Sequence, residues 1–298
     1  MNVTSVSSPA MERQRPFSAP QAMSPKTFER FREFVTTHLG IKMPDVKKTM
    51  LQSRLQKRLR LLSIDSYEDY YDYVFSARGR QAELTHMIDA VTTNKTDFFR
   101  EPKHFDYLVR AALPDLLQAR SAAASKTFRF WSAGCSTGAE PYTLGMVLSE
   151  FAERVAGFQF AIIATDISQR VLEEARAGIY SEEMAAPIPL PLRKKYLLRS
   201  KNPQENAVRI NSEIRSKVRF GRLNFMEDSF GLRQNVDVIF CRNVLIYFDR
   251  STQEQVVNRL CRHLHTGGFL FLGHSETLNG LSVPLTQIYP TIYKRQES

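Results

Sequence analysis

The chain has 298 residues, 43% hydrophobic and 24% charged, a balance typical of a globular protein with room for two domains. Its 41 Lys and Arg against 31 Asp and Glu leave a net charge of +10, which fits either an acidic partner or a solubilising surface. No apolar run approaches the ~18–20 residues of a spanning helix, and Cys135, Cys241 and Cys261, scattered and in no CxxC pair, argue against a disulfide framework or a zinc site.

The opening MNVTSVSSPAMERQRPFSAP lacks the apolar core of a secretory signal. Its Ser, Pro and Ala bias predicts a disordered tail over 1–23, and the cysteine usage suits the cytoplasm. From 24 to 118 the pattern is helical throughout. Ser24-Pro25 reads as an N-cap and first-turn proline, followed by Phe28, Phe31 and Phe34, and Gly40 ends that helix. A second helix is predicted over Asp45–Leu62, a third after Ser66, a fourth near Gln81–Thr92 and a fifth over Lys103–Gln118. The second carries a stripe of Leu51, Leu55, Leu59 and Leu62 beside a basic ridge of Arg54, Lys57 and Arg60. A solvated face, a phosphate-binding face and a docking face for an acidic protein all fit this ridge. The lack of interleaved aromatics weighs against nucleic acid.

After a linker over 119–126, strands alternate with helices across 127–298. Strands are predicted at Thr127–Trp131, Phe160–Ala164, Val218–Leu223, Val236–Phe240 and Gly268–Leu272, with a last one near Gln287–Tyr293. Helices are predicted at Pro141–Arg154, Ser168–Ala177 and Thr252–His265. This predicts an α/β fold: a parallel, Rossmann-like sheet with helices on both faces, behind an N-terminal helical domain. The irregular, proline-rich stretch 181–217 reads as a small inserted antiparallel β-subdomain. His263 and His265, two apart, make no helical metal pair, and no metal is expected.

The densest signal is FRFWSAGCSTGAEPYT, where a strand runs into a glycine loop and a helix N-terminus. The spacing of Gly134 and Gly138 departs from the GxGxxG that bends around a pyrophosphate. Glu140 in the first helical turn would repel a phosphate and suits a cationic ligand, although a first-turn acid also answers the helix dipole. Asp166, ending the second strand, can accept both ribose hydroxyls of an adenosine. Together these residues favour S-adenosylmethionine over a dinucleotide. Asn224 and the run Cys241–Asp249 follow later strands, where a sheet of this kind places its site.

Four motifs in order, TTNKTDFFRE (Thr92–Glu101), WSAGCSTGAEPYT (Trp131–Thr143), FCRNVLIYFD (Phe240–Asp249) and LGHSE (Leu272–Glu276), resemble the CheR family of chemotaxis receptor methyltransferases. The resemblance spans Thr27 to Lys294. It implies a methyltransferase sheet that uses S-adenosyl-L-methionine, releases S-adenosyl-L-homocysteine and esterifies glutamate carboxylates on chemoreceptors. It further implies that Asn94, Thr96 and Arg100 close over the cofactor from the helical side, that Gly134, Glu140 and Asp166 bind it, and that Asn224, Phe225, Arg242 and Asn243 line its adenosine and methyl ends. Arg100 and Tyr247 match the pair beside the reacting carboxylate, and Lys47, Arg54 and Arg60 match positions that dock receptor methylation helices. In some members the β-subdomain grips a peptide at the receptor's C-terminus. The turn SKNPQEN has none of the glycines that accompany that grip, which speaks against it here. A receptor-like protein of a non-chemotaxis signalling pathway is the alternative substrate.

Overall fold

In the computed structural model, which describes residues 22–120, 127–200, 202, 204–232 and 234–296, the first helix starts where its capping residues dictate. The Ser24 hydroxyl accepts the Thr27 amide at 3.1 Å, α1 runs Pro25–Leu39, and Gly40 at φ +70° ends it. Met23, predicted to lie in the tail, is 1% exposed and shares the helical core with Phe28. An apolar residue just before an N-cap packs back on the fourth helical residue, so the ordered domain begins earlier than composition predicts. The rest of the predicted tail, 1–21, lies outside the described residues.

A 3-10 turn over Asp45–Lys47 replaces the predicted start of the second helix, and α2 spans Lys48–Leu62 with Leu51, Leu55 and Leu59 buried. α3 (Tyr67–Phe75) is capped by Ser66, and the predicted fourth helix divides into α4 (Ala77–Ala82) and α5 (Leu84–Val91). At the break sits Glu83, 1% exposed, its carboxylate held by Arg58 at 2.6 and 2.8 Å and by the Tyr70 hydroxyl at 2.8 Å. The predicted fifth helix becomes α6 (Lys103–Tyr107), one π turn (Leu108–Ala112) and α7 (Leu113–Ala119). Pro114 has no amide hydrogen for the regular ladder, which accounts for the loosened turn before it.

The predicted helical domain, 24–118, contributes side chains to two cores. One ends at Val91, whereas Phe105, Leu108, Ala112, Leu113 and Leu116 belong to the core beneath the sheet. Helical periodicity identified the element but not its packing partner. Of the predicted linker, Ala119 closes α7, and 121–126 lie outside the described residues.

The remaining elements are β1 (Thr127–Ala133), α8 (Ala139–Ala152), β2 (Gln159–Asp166), α9 (Gln169–Ala177), β3 (Ile179–Ser181), α10 (Glu182–Ala185), α11 (Leu190–Tyr196), β4 (Leu197–Arg199) and β5 (Ala207–Ile210). α12 (Ser212–Ser216), β6 (Val218–Arg222), β7 (Val236–Cys241), α13 (Arg250–His263), β8 (Leu264–Leu272), β9 (Leu285–Tyr289) and β10 (Ile292–Arg295) complete the fold. The main sheet has the order β6-β2-β1-β7-β8-β10-β9. Its first five strands are parallel, and β10 runs against both neighbours. The single strand predicted near Gln287–Tyr293 is a hairpin, broken at Pro290 and at Thr291 with φ +59°.

Side chains alternate between the two faces as a pleated strand requires. Phe128, Phe130, Val238, Phe240, Phe269 and Phe271 join α6–α8 on one face, and Trp131, Ile239, Leu270 and Leu272 join α13 on the other. The insert forms the antiparallel sheet β3-β5-β4, which starts at Ile179 and carries three short helices as well as strands. No helix among the described residues is long and apolar enough to cross a membrane.

The carboxyl ends of β1, β2 and β7 open on one edge of the sheet, and the helical domain caps that edge. Asn224 Nδ2 donates to the last turn of α1 at His38 O (2.7 Å), and the Lys42 amide donates to Tyr247 O (2.8 Å). Gly40 has φ +70°, which strains any other residue, and a Cβ there would lie 2.6 Å from Met226 Sδ and push that side chain aside.

Candidate active site

A cavity of about 380 Å³ lies between the capping helices and the carboxyl ends of the strands, within the usual range for small-molecule sites. The glycine loop forms its floor. Gly134 has φ +85°, and a Cβ there would lie 2.5 Å from Val244 Cγ2, so the loop is built for close backbone approach. The Gly134 and Cys135 amides both donate to Thr165 O, at 2.8 and 2.9 Å, pinning the loop to the end of β2. The Asp166 carboxylate then accepts the Ser136 amide on Oδ2 (2.8 Å) and the Ser168 amide on Oδ1 (3.0 Å). Each oxygen keeps a lone pair that these bonds do not use. Burial pushes the Asp166 pKa up, against the pull of those backbone bonds.

The opposite wall is the segment that leaves α5. Phe99 and Glu101 both hold positive φ, +54° and +56°, so the chain turns sharply as it crosses the sheet edge. Ser136 Oγ donates to Asn94 O at 2.9 Å, which joins this wall to the glycine loop. Arg100 lines the cavity, with Nη1 donating to Lys95 O at 3.3 Å.

Between the two walls lies Arg242, 6% exposed. Its guanidinium pairs with Glu101 (3.0 Å) and Glu140 (3.3 Å), donates to Arg100 O, and lies over the rings of Phe105 and Phe240. Glu140 also accepts the Ser132 hydroxyl at 2.6 Å. Burial raises the Glu140 pKa while Arg242 opposes the rise. At Glu101 burial pushes the same way, but the charge of Arg242 and the His274 amide outweigh it and hold the pKa below the usual carboxylate range. Glu101, His104 and His274 bring three possible ligand atoms within 4.8 Å of one another. The Glu101 carboxylate already faces Arg242 there, and His104 Nε2 already pairs with Thr291 Oγ1 at 2.9 Å.

Two profiles of one family match this chain: "CheR methyltransferase, all-alpha domain" over residues 26–92 and "CheR methyltransferase, SAM binding domain" over 94–293. The chain belongs to the CheR methyltransferase family. It is 38% identical to the "Chemotaxis protein methyltransferase" of Borreliella burgdorferi, over 89% of this chain and 93% of that protein. The proteins of the same name from Salmonella typhimurium and Escherichia coli are 36% and 35% identical, each over 91% of both chains.

This CheR chain is therefore a methyltransferase that uses S-adenosylmethionine, and its cavity fits that cofactor chemically. The loop offers glycine backbone and two carboxylates, Glu140 and Asp166, with no lysine or arginine of its own to cradle a phosphate. Asn94, Thr96, Arg100, Gly134, Glu140, Asp166, Asn224, Phe225, Arg242, Asn243 and Tyr247 all line this one cavity. Two of them also make contacts within the protein. Asn224 spends one amide hydrogen on His38 O and its oxygen on the Met226 amide (3.0 Å), which leaves one donor for an adenine edge. Arg242 directs its guanidinium at Glu101 and Glu140 and so holds the wall.

On the basic helix the predicted ridge is not uniform. Lys57 and Arg60 are exposed, but Arg54 turns inward onto the carbonyls that end α5, because it flanks the buried Leu51 and Leu55. Lys47 also lines the cavity, and its pKa is lowered by burial and by neighbouring Arg54 and Lys42.

Sequence reasoning assigned no role to Glu276, which is 5% exposed and accepts the amides of Gly273 (2.6 Å), Asn243 (2.8 Å) and Ile246 (3.2 Å). It fixes the loop that carries Tyr247. The one available signal was its place in LGHSE, whose partners lie some thirty residues earlier in the chain.

Proposed function

We propose that this chain methylates glutamate side chains on the methylation helices of chemoreceptors, forming 5-O-methyl esters and leaving S-adenosylhomocysteine. The observation that carries this reading is the division of charge within one cavity. Glu140 and Asp166 line it from the sheet edge, where Arg242 pairs with Glu140, and Lys47, Lys95 and Arg100 outnumber Asp97 on the helical side, where an acidic helix would approach. Asp166 would hold the ribose hydroxyls, and Glu140 the cationic amino acid end of the cofactor. Bound S-adenosylmethionine supplies a methyl group activated by its sulfonium.

The acceptor glutamate, with an ordinary pKa near 4.3, is ionised at neutral pH and needs no general base. What remains for the protein is orientation and exclusion of water, and in favourable cases such alignment supplies about 7–11 kcal/mol. Arg100 steers one carboxylate oxygen without a tight bidentate pair, which would stabilise the ground state and blunt the nucleophile. The Tyr247 hydroxyl fixes the line of approach, and Glu276 keeps its loop in place. Lys47, just before the basic helix, and Arg60 on it draw in the acidic receptor helix, an attraction that salt screens.

The test is label transfer from methyl-labelled cofactor to a chemoreceptor cytoplasmic fragment, followed by mild base. Label on the receptor that base releases as methanol supports the ester. Base-stable label, or transfer only to RNA or to another protein, contradicts it. In the same assay Arg60→Glu is expected to raise the KM for the receptor at low salt, and an unchanged KM would remove Arg60 from the docking face.

A further inference from the structure

The inward turn of Arg54 gives this residue a task that a docking charge does not need. Nη1 donates to Val91 O at 2.7 Å and to Thr92 O at 3.0 Å, and Nη2 donates to Thr93 Oγ1 at 2.8 Å. These acceptors sit at the C-terminus of α5, where carbonyls lack intrahelical partners and a cation is favoured. Just beyond them, Asn94 O accepts from Ser136 Oγ of the glycine loop. The crossing from the helical domain into the cleft is thus held by a guanidinium on one side and by the cofactor loop on the other. Thr92, Thr93 and Asn94 all line the cavity. The planar fork of arginine reaches the three acceptors from two separate nitrogens, whereas a lysine ammonium presents its donors from a single point.

We infer that Arg54 is a positioning residue for the cofactor, which sets the Val91–Asn94 crossing from the basic helix so that the following segment closes over the ligand. The inference rests on the reading that Asn94–Arg100 forms the cofactor's lid. It separates Arg54 from Lys47 and Arg60, whose proposed task is the receptor.

Arg54→Lys is the decisive variant because it keeps the charge and removes the fork. With Arg54→Gln and Asn94→Ala beside it, the affinity for S-adenosylhomocysteine is measured by calorimetry. The KM for the methyl donor and for a receptor fragment are measured separately, and thermal unfolding reports on folding. Arg54→Lys is expected to weaken S-adenosylhomocysteine about tenfold, the scale of losing one charge-assisted hydrogen bond, and to raise the donor KM alike while the receptor KM stays within about twofold. Normal donor affinity in Arg54→Lys, with only the receptor KM raised in Arg54→Gln, would overturn the positioning role and leave a docking charge. If Asn94→Ala weakens the ligand and Arg54→Lys does not, the lid reading stands and the positioning role falls. If Arg54→Lys weakens it and Asn94→Ala does not, Arg54 keeps its role and Asn94 loses its own. Normal affinity in both overturns both.

Discussion

Asp166→Ala is expected to lower cofactor affinity at least about a hundredfold. The carboxylate stands at the end of β2, accepts the Ser136 and Ser168 amides on separate oxygens, and lines the cavity. Removing it deletes two charge-assisted acceptors for ribose hydroxyls, each worth roughly 1.5–3 kcal/mol. It also strands two buried amides and loosens the loop that Gly134 brings to the ligand. Asp166→Asn is expected to fall in between, because an amide NH2 would face one of those two backbone donors while the remaining oxygen still accepts. Calorimetric titration with S-adenosylhomocysteine decides the matter, with thermal unfolding as the control for folding. A folded Asp166→Ala protein that binds within about threefold of the parent would end the assignment.

The largest loss of stability is expected from Arg242→Gln. This guanidinium is the counter-charge for two carboxylates, Glu101 and Glu140, and packs against the stacked aromatic rings of Phe105 and Phe240. Deleting one partner of a buried ion network strands the other charges, which costs about 3–5 kcal/mol. The pH dependence carries a sign of its own. Glu101 titrates below the usual range in the folded protein, so its pairing stabilises above the unfolded carboxylate pKa and is lost as pH falls through the lowered folded value. Without Arg242 both carboxylates are forced upward, and protonation relieves the penalty. Denaturant unfolding should therefore show the widest gap between parent and variant near pH 7 and a narrowing gap below about pH 5. A difference under about 1 kcal/mol, constant with pH, would show that Arg242 does not hold the two carboxylates together.

Much of this architecture can be read before any coordinates. Ser24 and Ser66 cap helices because their hydroxyls accept amides three residues on, and that relation is local. Gly134, Glu140 and Asp166 are likewise readable, since consecutive parallel strands usually pair, and β1 and β2 do so here, which sets the glycine loop beside the acid that ends β2. What escaped depends on partners distant in sequence. Periodicity places Arg54 beside a leucine stripe but cannot reveal that the end of α5 lies opposite it. Phe105 and Leu108 look like any helical stripe, so nothing local tells whether they face the helical bundle or the sheet. Glu276 is an acid after a strand until the Asn243 and Ile246 amides are seen converging on it. The family resemblance placed Asn94–Arg100 at the cofactor although the segment lies outside the α/β sheet. The cavity that they share with Asp166 is consistent with that placement.

We propose that the methyl donor and the receptor carboxylate meet between Arg100 and Tyr247, under the cap of the helical domain. Steady-state methyl transfer by Arg100→Ala and Tyr247→Phe, with S-adenosylhomocysteine affinity measured on the same preparations, tests it most directly. The expected result is a kcat at least about tenfold lower in Tyr247→Phe, with ligand affinity within about threefold of the parent, and at least as large a loss of turnover in Arg100→Ala. Full turnover in both variants would contradict it.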